Sequence, residues 1–243
     1  MDHEQHTGVI EREVAALSRA ARGHLNAPVP SCPRWTVARL LVHVGSAHRM
    51  AALALGREGG DASFFADVPR LADDGDPVAW LDDGASALVA ALRSAAPDAP
   101  AFTFFEPPHA EFWSRRMAHE TAAHRWDVEA AVGQPAPIDG DLAADGIEEL
   151  LAMFAARPAD RAPRPSGAGE TIHLHCTDRD GEWVIGLEPD GFSVRHEHAK
   201  SDVAARGAAS DLLLLLLGRV GPDAVDVFGD VALLARWQEI AKF

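Results

Sequence analysis

The sequence predicts an α+β protein, with an antiparallel four-helix bundle first and a smaller α+β domain after it. Through the first 160 residues, apolar side chains recur at helical spacing in long segments joined by short or medium connections, the pattern of a bundle. After the Pro-, Arg- and Gly-rich stretch RPADRAPRPSGAGE, the period changes to short strand-like runs parted by the turn signals DRDG and EPDG. Domains are therefore expected at residues 1–160 and 165–243. At 47% hydrophobic content, a chain of 243 residues has enough apolar surface for a substantial core.

Each element has a local cause. Val9, Val14, Leu17, Ala21 and Leu25 mark a first amphipathic helix, which NAPVPSCP ends because its three prolines cannot continue it. In PRWTVARLLVHVGSAHRMAALALG, Thr36 is placed to cap a second helix. Leu40, Val44, Ala47 and Ala51 form its stripe, and Gly56 stops it. The long acidic connection GREGGDASFFADVPRLADDGDP is of a length that often borders a pocket. A third helix is expected over 78–96, a fourth over 109–132 and a fifth over 141–156. Beyond the linker come three strand-like runs in TIHLHCTDRDGEWVIGLEPDGFSVRHEH, a helix in ASDLLLLLLGR, a short strand in VDVFGD and a terminal helix in ALLARWQEIAKF.

Charge and composition narrow the function. Asp and Glu outnumber Lys and Arg by 37 to 22, and the resulting formal charge of −15 repels phosphate backbones and anionic headgroups. Nucleic-acid and membrane partners are not expected. DLLLLLLGR is far shorter than the roughly 20 apolar residues of a bilayer span, and MDHEQHTGVIEREV lacks the apolar core of a signal peptide. Cys32 and Cys176 make no disulfide framework, so a reducing cytoplasmic location is expected. Nothing in the sequence singles out either cysteine as a nucleophile. No phosphate loop, nucleophile elbow or dinucleotide fingerprint is present.

The segment RRMAHETAAHRWDVE carries the chemistry. Glu120 and His124 stand four apart on the predicted fourth helix, where a helix brings side chains onto one face and two donors onto one point. A catalytic zinc-type site needs a third protein ligand and an open position. His43 on the second helix shares the apolar stripe with Leu40 and Ala47, whereas His48 lies about 140° round from it. His119, about 100° from Glu120, is an alternative ligand. Asp127, three residues past His124, is placed to orient the imidazole. The bland alternative is an ordinary salt bridge from Arg116 to Glu120, four residues apart.

The combination of WTVARLLVHVGSAHRM with RRMAHETAAHRWDVEAAVGQPAPI, followed by GEWVIGLEPDG, DLLLLLLGR and VDVFGD, resembles the mycothiol-dependent maleylpyruvate isomerase family of the DinB-like superfamily. The likeness runs over essentially the whole chain. It implies a DinB-like bundle holding a divalent metal, usually Zn2+, through one histidine of the second helix and a pair four apart on a later one. Matched here, these are His43, Glu120 and His124. A Glu at the first position of the pair resembles the isomerase branch, since many DinB-like proteins have His there.

The resemblance further implies mycothiol as thiol cosubstrate, a small electrophile as substrate, and an active site between bundle and second domain in a monomer or homodimer. A free thiol with a pKa near about 8.5 is mostly protonated at neutral pH, and metal coordination turns it into the reactive thiolate. Arg219, after the leucine-rich helix, resembles a catalytic arginine of the family's C-terminal domain and would hold a carboxylate or developing enolate through its planar fork. An arginine there also suits a plain dipole-compensating role. The expected function is a metal-dependent thiol S-transferase or thiol-assisted isomerase. A noncatalytic ligand-binding or regulatory protein, or a metal-dependent hydrolase, is the alternative.

Some residues are read more plainly. Trp35 and Trp126 are expected as core or pocket-wall aromatics. His173 with His175, and His196 with His198, sit two apart in strand-like runs, so each pair is expected on one face, either facing solvent or contributing to a second metal site. His3 and His6 read as a flexible polar end.

Overall fold

The computed structural model describes residues 1–57, 62–156 and 165–240. The linker at 157–164, residues 58–61 of the acidic connection and the last three residues of the predicted terminal helix lie outside the described residues. The chain divides into two compact units, Met1–Ala136 and Pro137–Phe243. It is an α+β protein, helical first and built on a mixed five-stranded sheet afterwards. Among the described residues, no helix is long and apolar enough to cross a membrane.

Four long helices pack together in the first unit: α1 (His3–Ala21), α2 (Val37–Ala54), α3 (Pro77–Ser94) and α4 (Ala110–Ala131). α1 lies against α3 and α4, and α2 against α3 and α4. The start of α1 corrects the expectation of a flexible end. Asp2 caps the helix reciprocally with Gln5, and His6, inside the helix, is only 3% exposed. Asp followed three residues later by Gln is a legible start signal. α2 opens on Thr36, whose hydroxyl accepts from the Arg39 N–H at 3.4 Å, as its position predicts. α3 opens on Asp76 followed by Pro77, with the proline at the position where a missing N–H costs nothing.

Two glycines set the spacing of α2 and α3. A Cβ at Gly45 would stand 2.5 Å from Trp80 Cδ1, and one at Gly84 would stand 2.8 Å from the Gly45 carbonyl oxygen. The helices approach closely because neither residue has a side chain. Arg49 seals the contact by stacking on Trp80, its guanidinium carbon 3.4 Å from the ring centre, while donating to the Gly45 and Trp80 carbonyls.

α4 is the central helix, buried on most of its circumference, and it carries polar residues into the interior: Thr121, His124, Arg125 and Asp127. Buried polar groups are costly unless partnered, and these are. Arg125 joins Glu13 of α1 at 2.8 Å, Glu129 at 2.6 Å and the Ala136 carbonyl at 2.6 Å. The connection after α2 enters a 3-10 turn, Ser63–Asp67, whose Phe64 and Phe65 pack with Phe102 and Phe104.

In the second unit, helix α5 (Gly140–Ala156) packs on α6 (Ala209–Leu216), and α7 (Val231–Ile240) follows at the end. The sheet contains β1 (Thr171–Cys176), β2 (Glu182–Glu188), β3 (Gly191–Arg195), β4 (Val203–Gly207) and β5 (Asp226–Gly229), in the order β3-β2-β1-β4-β5. β1 and β4 are parallel; the other pairs are antiparallel. Ile172, Leu174, Trp183, Ile185, Leu187, Val203 and Ala205 are buried on one face, and five of the six consecutive leucines, Leu212 to Leu216, bury α6 on nearly all sides, as its composition predicts.

Two features of this unit differ from the sequence reading. β4, VAARG, goes unannounced, because its strand character comes from pairing with β1 and β5 and not from its own composition. β3 ends at Arg195, so His196 and His198 are outside any strand and do not share a face. His196 goes to Glu148 at 3.3 Å and His198 to Glu182 at 3.0 Å.

Candidate metal centre

α2 and α4 bring three donor side chains together in the first unit. His43 Nε2, Glu120 Oε1 and His124 Nε2 belong to a group whose ligand atoms all lie within 4.8 Å of one another. His43 Nε2 is 3.0 Å and His124 Nε2 3.2 Å from the same carboxylate oxygen, with the two imidazole rings nearly perpendicular at 86°. Two ligands held about 2.0–2.1 Å from a tetrahedral ion stand about 3.3 Å apart, so these separations suit adjacent corners of one coordination sphere.

Proton positions sharpen the fit. Asp127 is fully buried; its Oδ1 accepts from Ser31 at 2.6 Å and its Oδ2 lies 2.9 Å from His124 Nδ1. The carboxylate fixes the His124 proton on Nδ1 and turns the Nε2 lone pair toward Glu120. A lone pair and a carboxylate oxygen facing each other at 3.2 Å need a cation between them. A proton on the ring supplies one. Burial alone would lower the His124 pKa, but Glu120 and Asp127 outweigh burial and bring it up to about 9. Burial would likewise raise the Glu120 carboxyl, yet His124, His43 and Arg116 hold it well below the usual carboxylate range.

Glu120 divides its oxygens. Oε2 takes the Arg116 guanidinium at 3.0 Å while Oε1 faces the histidines, so the salt bridge and the convergent cluster coexist. Trp35 forms one wall of the centre, its ring 4.9 Å from His43 and 6.4 Å from His124 between centroids. The donors grade from a His124 side chain that is 9% exposed to a His43 side chain that is 41% exposed, so the centre opens on the His43 side.

Other expected positions fall elsewhere. The stripe reasoning puts His43 in the core, but the residue that α2 fully buries is His48. The buried arc is centred on Val37, Leu41, Val44 and His48, and His43 flanks it. Thr121 gives its only proton to the Met117 carbonyl at 2.6 Å, so His48 Nε2–H donates to Thr121 at 2.9 Å. Burial keeps this ring neutral, with its pKa lowered to about 4. His119 does not join the cluster; it is buried with its ring edge-on to His6, at 5.8 Å between centroids. Trp126 is half-buried on α4. Arg219 belongs to the second unit, in the turn after α6, and donates to the Leu217 carbonyl at 2.9 Å. Cys176 is buried and burial pushes its thiol up to about 11, which makes it an inert core residue.

Comparison with known proteins gives a consistent result. Residues 6–129 match the model described as the mycothiol maleylpyruvate isomerase N-terminal domain, and residues 141–236 match the MDMPI C-terminal domain. A crystal structure of the mycothiol-dependent maleylpyruvate isomerase superposes with a TM-score of 0.61 at 16% identity, covering 93% of each chain. A mutant of a mycothiol-dependent maleylpyruvate isomerase gives 0.62 at 15% identity with the same coverage. At these identities the structural likeness establishes the fold. No curated protein sequence matches the chain.

Proposed function

Because this chain belongs to the mycothiol maleylpyruvate isomerase family, we propose that it is a mycothiol-using enzyme, an isomerase or S-transferase of a small electrophile, with a divalent ion at His43, Glu120 and His124. The convergence of those three donors from two helices is the observation that carries this reading. Zn2+ is the ion best matched to two imidazoles and a carboxylate with room for one more ligand. Such an ion, when bound, lowers the pKa of a thiol presented to it.

The chain's own groups have distinct tasks in this proposal. Asp127 holds His124 in the tautomer that offers Nε2, and Ser31 holds Asp127. His124, His43 and Arg116 together keep Glu120 ionised, and the Arg116 ion pair fixes its rotation. Trp35 shields the imidazoles from bulk water on one side. Arg219 is proposed to bind an anionic group of the substrate. The thiol adds through sulfur to an activated double bond, rotation follows about the resulting single bond, and elimination returns the thiol in an isomerase. A transferase releases the thioether and consumes the thiol.

The experiment pairs elemental analysis with a mycothiol-binding titration on wild type and His124→Ala. The substitution is expected to remove one zinc equivalent and the mycothiol binding with it, and to abolish thiol-dependent turnover of maleylpyruvate or another activated alkene. Mycothiol affinity unchanged in His124→Ala would overturn the assignment.

A further inference from the structure

The second unit carries another convergent group that the proposed chemistry does not use. β1 presents His173 and His175 on the sheet face opposite its buried apolar residues, because they alternate with Ile172, Leu174 and Cys176. Antiparallel pairing sets Glu182 of β2 directly across from His175. After β3 ends at Arg195, the chain returns over this face and adds His198. The ring centroids of His173, His175 and His198 are 5.1 to 6.1 Å apart, and the ligand atoms of all four side chains lie within 4.8 Å of one another.

Glu182 is the hub of the group. Its Oε1 is 2.6 Å from His175 Nδ1 and 3.0 Å from His198 Nδ1, and its Oε2 is 3.8 Å from His173 Nε2. The last separation is too long for a hydrogen bond. His173 is only 4% exposed, and its Nε2 is a buried polar atom with no hydrogen-bond partner among the described residues. Such orphaned atoms are rare in folded proteins and call for a specific cause.

Three imidazoles and one carboxylate are a complete tetrahedral donor set for a zinc-class cation, with no thiolate to favour softer ions. We propose that His173, His175, Glu182 and His198 form a second divalent-metal site, which ties β1, β2 and the segment after β3 together on one sheet face. The site is graded: His173 is buried, His175 and Glu182 are partly covered, and the His198 side chain is 76% exposed. An ion enters from the His198 side. With all four protein ligands engaged, no position remains for substrate, so the site is structural. It stands on residues of the second unit alone and is independent of the centre at His43, Glu120 and His124.

The test uses the full-length chain with the first centre disabled by His124→Ala. Protein stripped by a chelator is reloaded with Zn2+, freed of excess, and analysed for zinc per chain. His124→Ala is expected to retain one equivalent, and the further change of His198→Ala with Glu182→Gln is expected to lose it. His198 is exposed, so the fold tolerates its removal, and circular dichroism checks this. His196, which pairs with Glu148 outside the group, serves as control: His196→Ala retains the equivalent. Loading with Co2+ gives the intense visible bands of a tetrahedral nitrogen- and oxygen-ligated ion, again only when His198 and Glu182 are intact. No zinc in His124→Ala, zinc undiminished by the double change, or equal loss in His196→Ala would each overturn the site.

Discussion

Replacing Asp127 by alanine is expected to weaken zinc binding at the α2–α4 centre about a hundredfold, and replacing it by asparagine about tenfold. The magnitudes come from what Asp127 touches. Its Oδ2 takes the His124 Nδ1 proton in a charge-assisted hydrogen bond inside a fully buried site, a contact of about 1.5–3 kcal/mol. Asparagine keeps the shape. Its oxygen still accepts from His124, and Ser31, which donates to Oδ1 in the native protein, can rotate its hydroxyl to accept from the new amide. What is lost is the charge, about 1.4 kcal/mol or a factor of about ten. Alanine loses the whole bond and frees the ring to turn, close to 3 kcal/mol. Competition for zinc against a chromogenic chelator at fixed pH reads the affinity, and circular dichroism of the metal-free proteins separates metal loss from unfolding. If Asp127→Ala binds zinc as tightly as wild type while His124→Ala does not, the imidazole is not held by Asp127 and the reasoning fails.

Two further outcomes concern stability. His48 is buried neutral with its pKa lowered from 6.5 to about 4, so below pH 6.5 the unfolded chain takes up a proton that the native state refuses. Its contribution is present above pH 6.5 and is lost as the pH falls toward 4, amounting to about 2 kcal/mol by pH 5 at about 1.4 kcal/mol per unit. His48→Gln should flatten the acid limb of a urea-midpoint profile by that amount; an unchanged limb refutes the assignment. Arg125 sits between Glu13 and Glu129 with its own side chain 5% exposed, so Arg125→Ala strands two mostly buried carboxylates. Equilibrium unfolding is expected to show a loss of about 3–5 kcal/mol, and a loss under about 1 kcal/mol counts against the buried clip.

The helices were legible because their signals are local. Thr36 caps, Gly56 and the proline cluster stop, and Leu40, Val44, Ala47 and Ala51 repeat at helical spacing whatever surrounds them. The pairing of Glu120 with His124 was legible for the same reason. What packing decides was harder to read. His43 lies at the edge of its helix's buried arc, and whether His43 or His48 turns inward depends on how α3 and α4 seat against α2. β4 becomes a strand only beside β1, and His198 reaches Glu182 only because the chain leaves β3 and folds back. The pairing of His196 with His198 failed because alternation holds only while a strand lasts.

His43 and Glu120 are separated by 77 positions in the chain. Neither α2 nor α4 can assemble the trio alone, and closing a loop of that size costs entropy before any contact repays it. An ion held by all three donors, as proposed, would meet helices that have already docked, so its uptake would report a finished first unit.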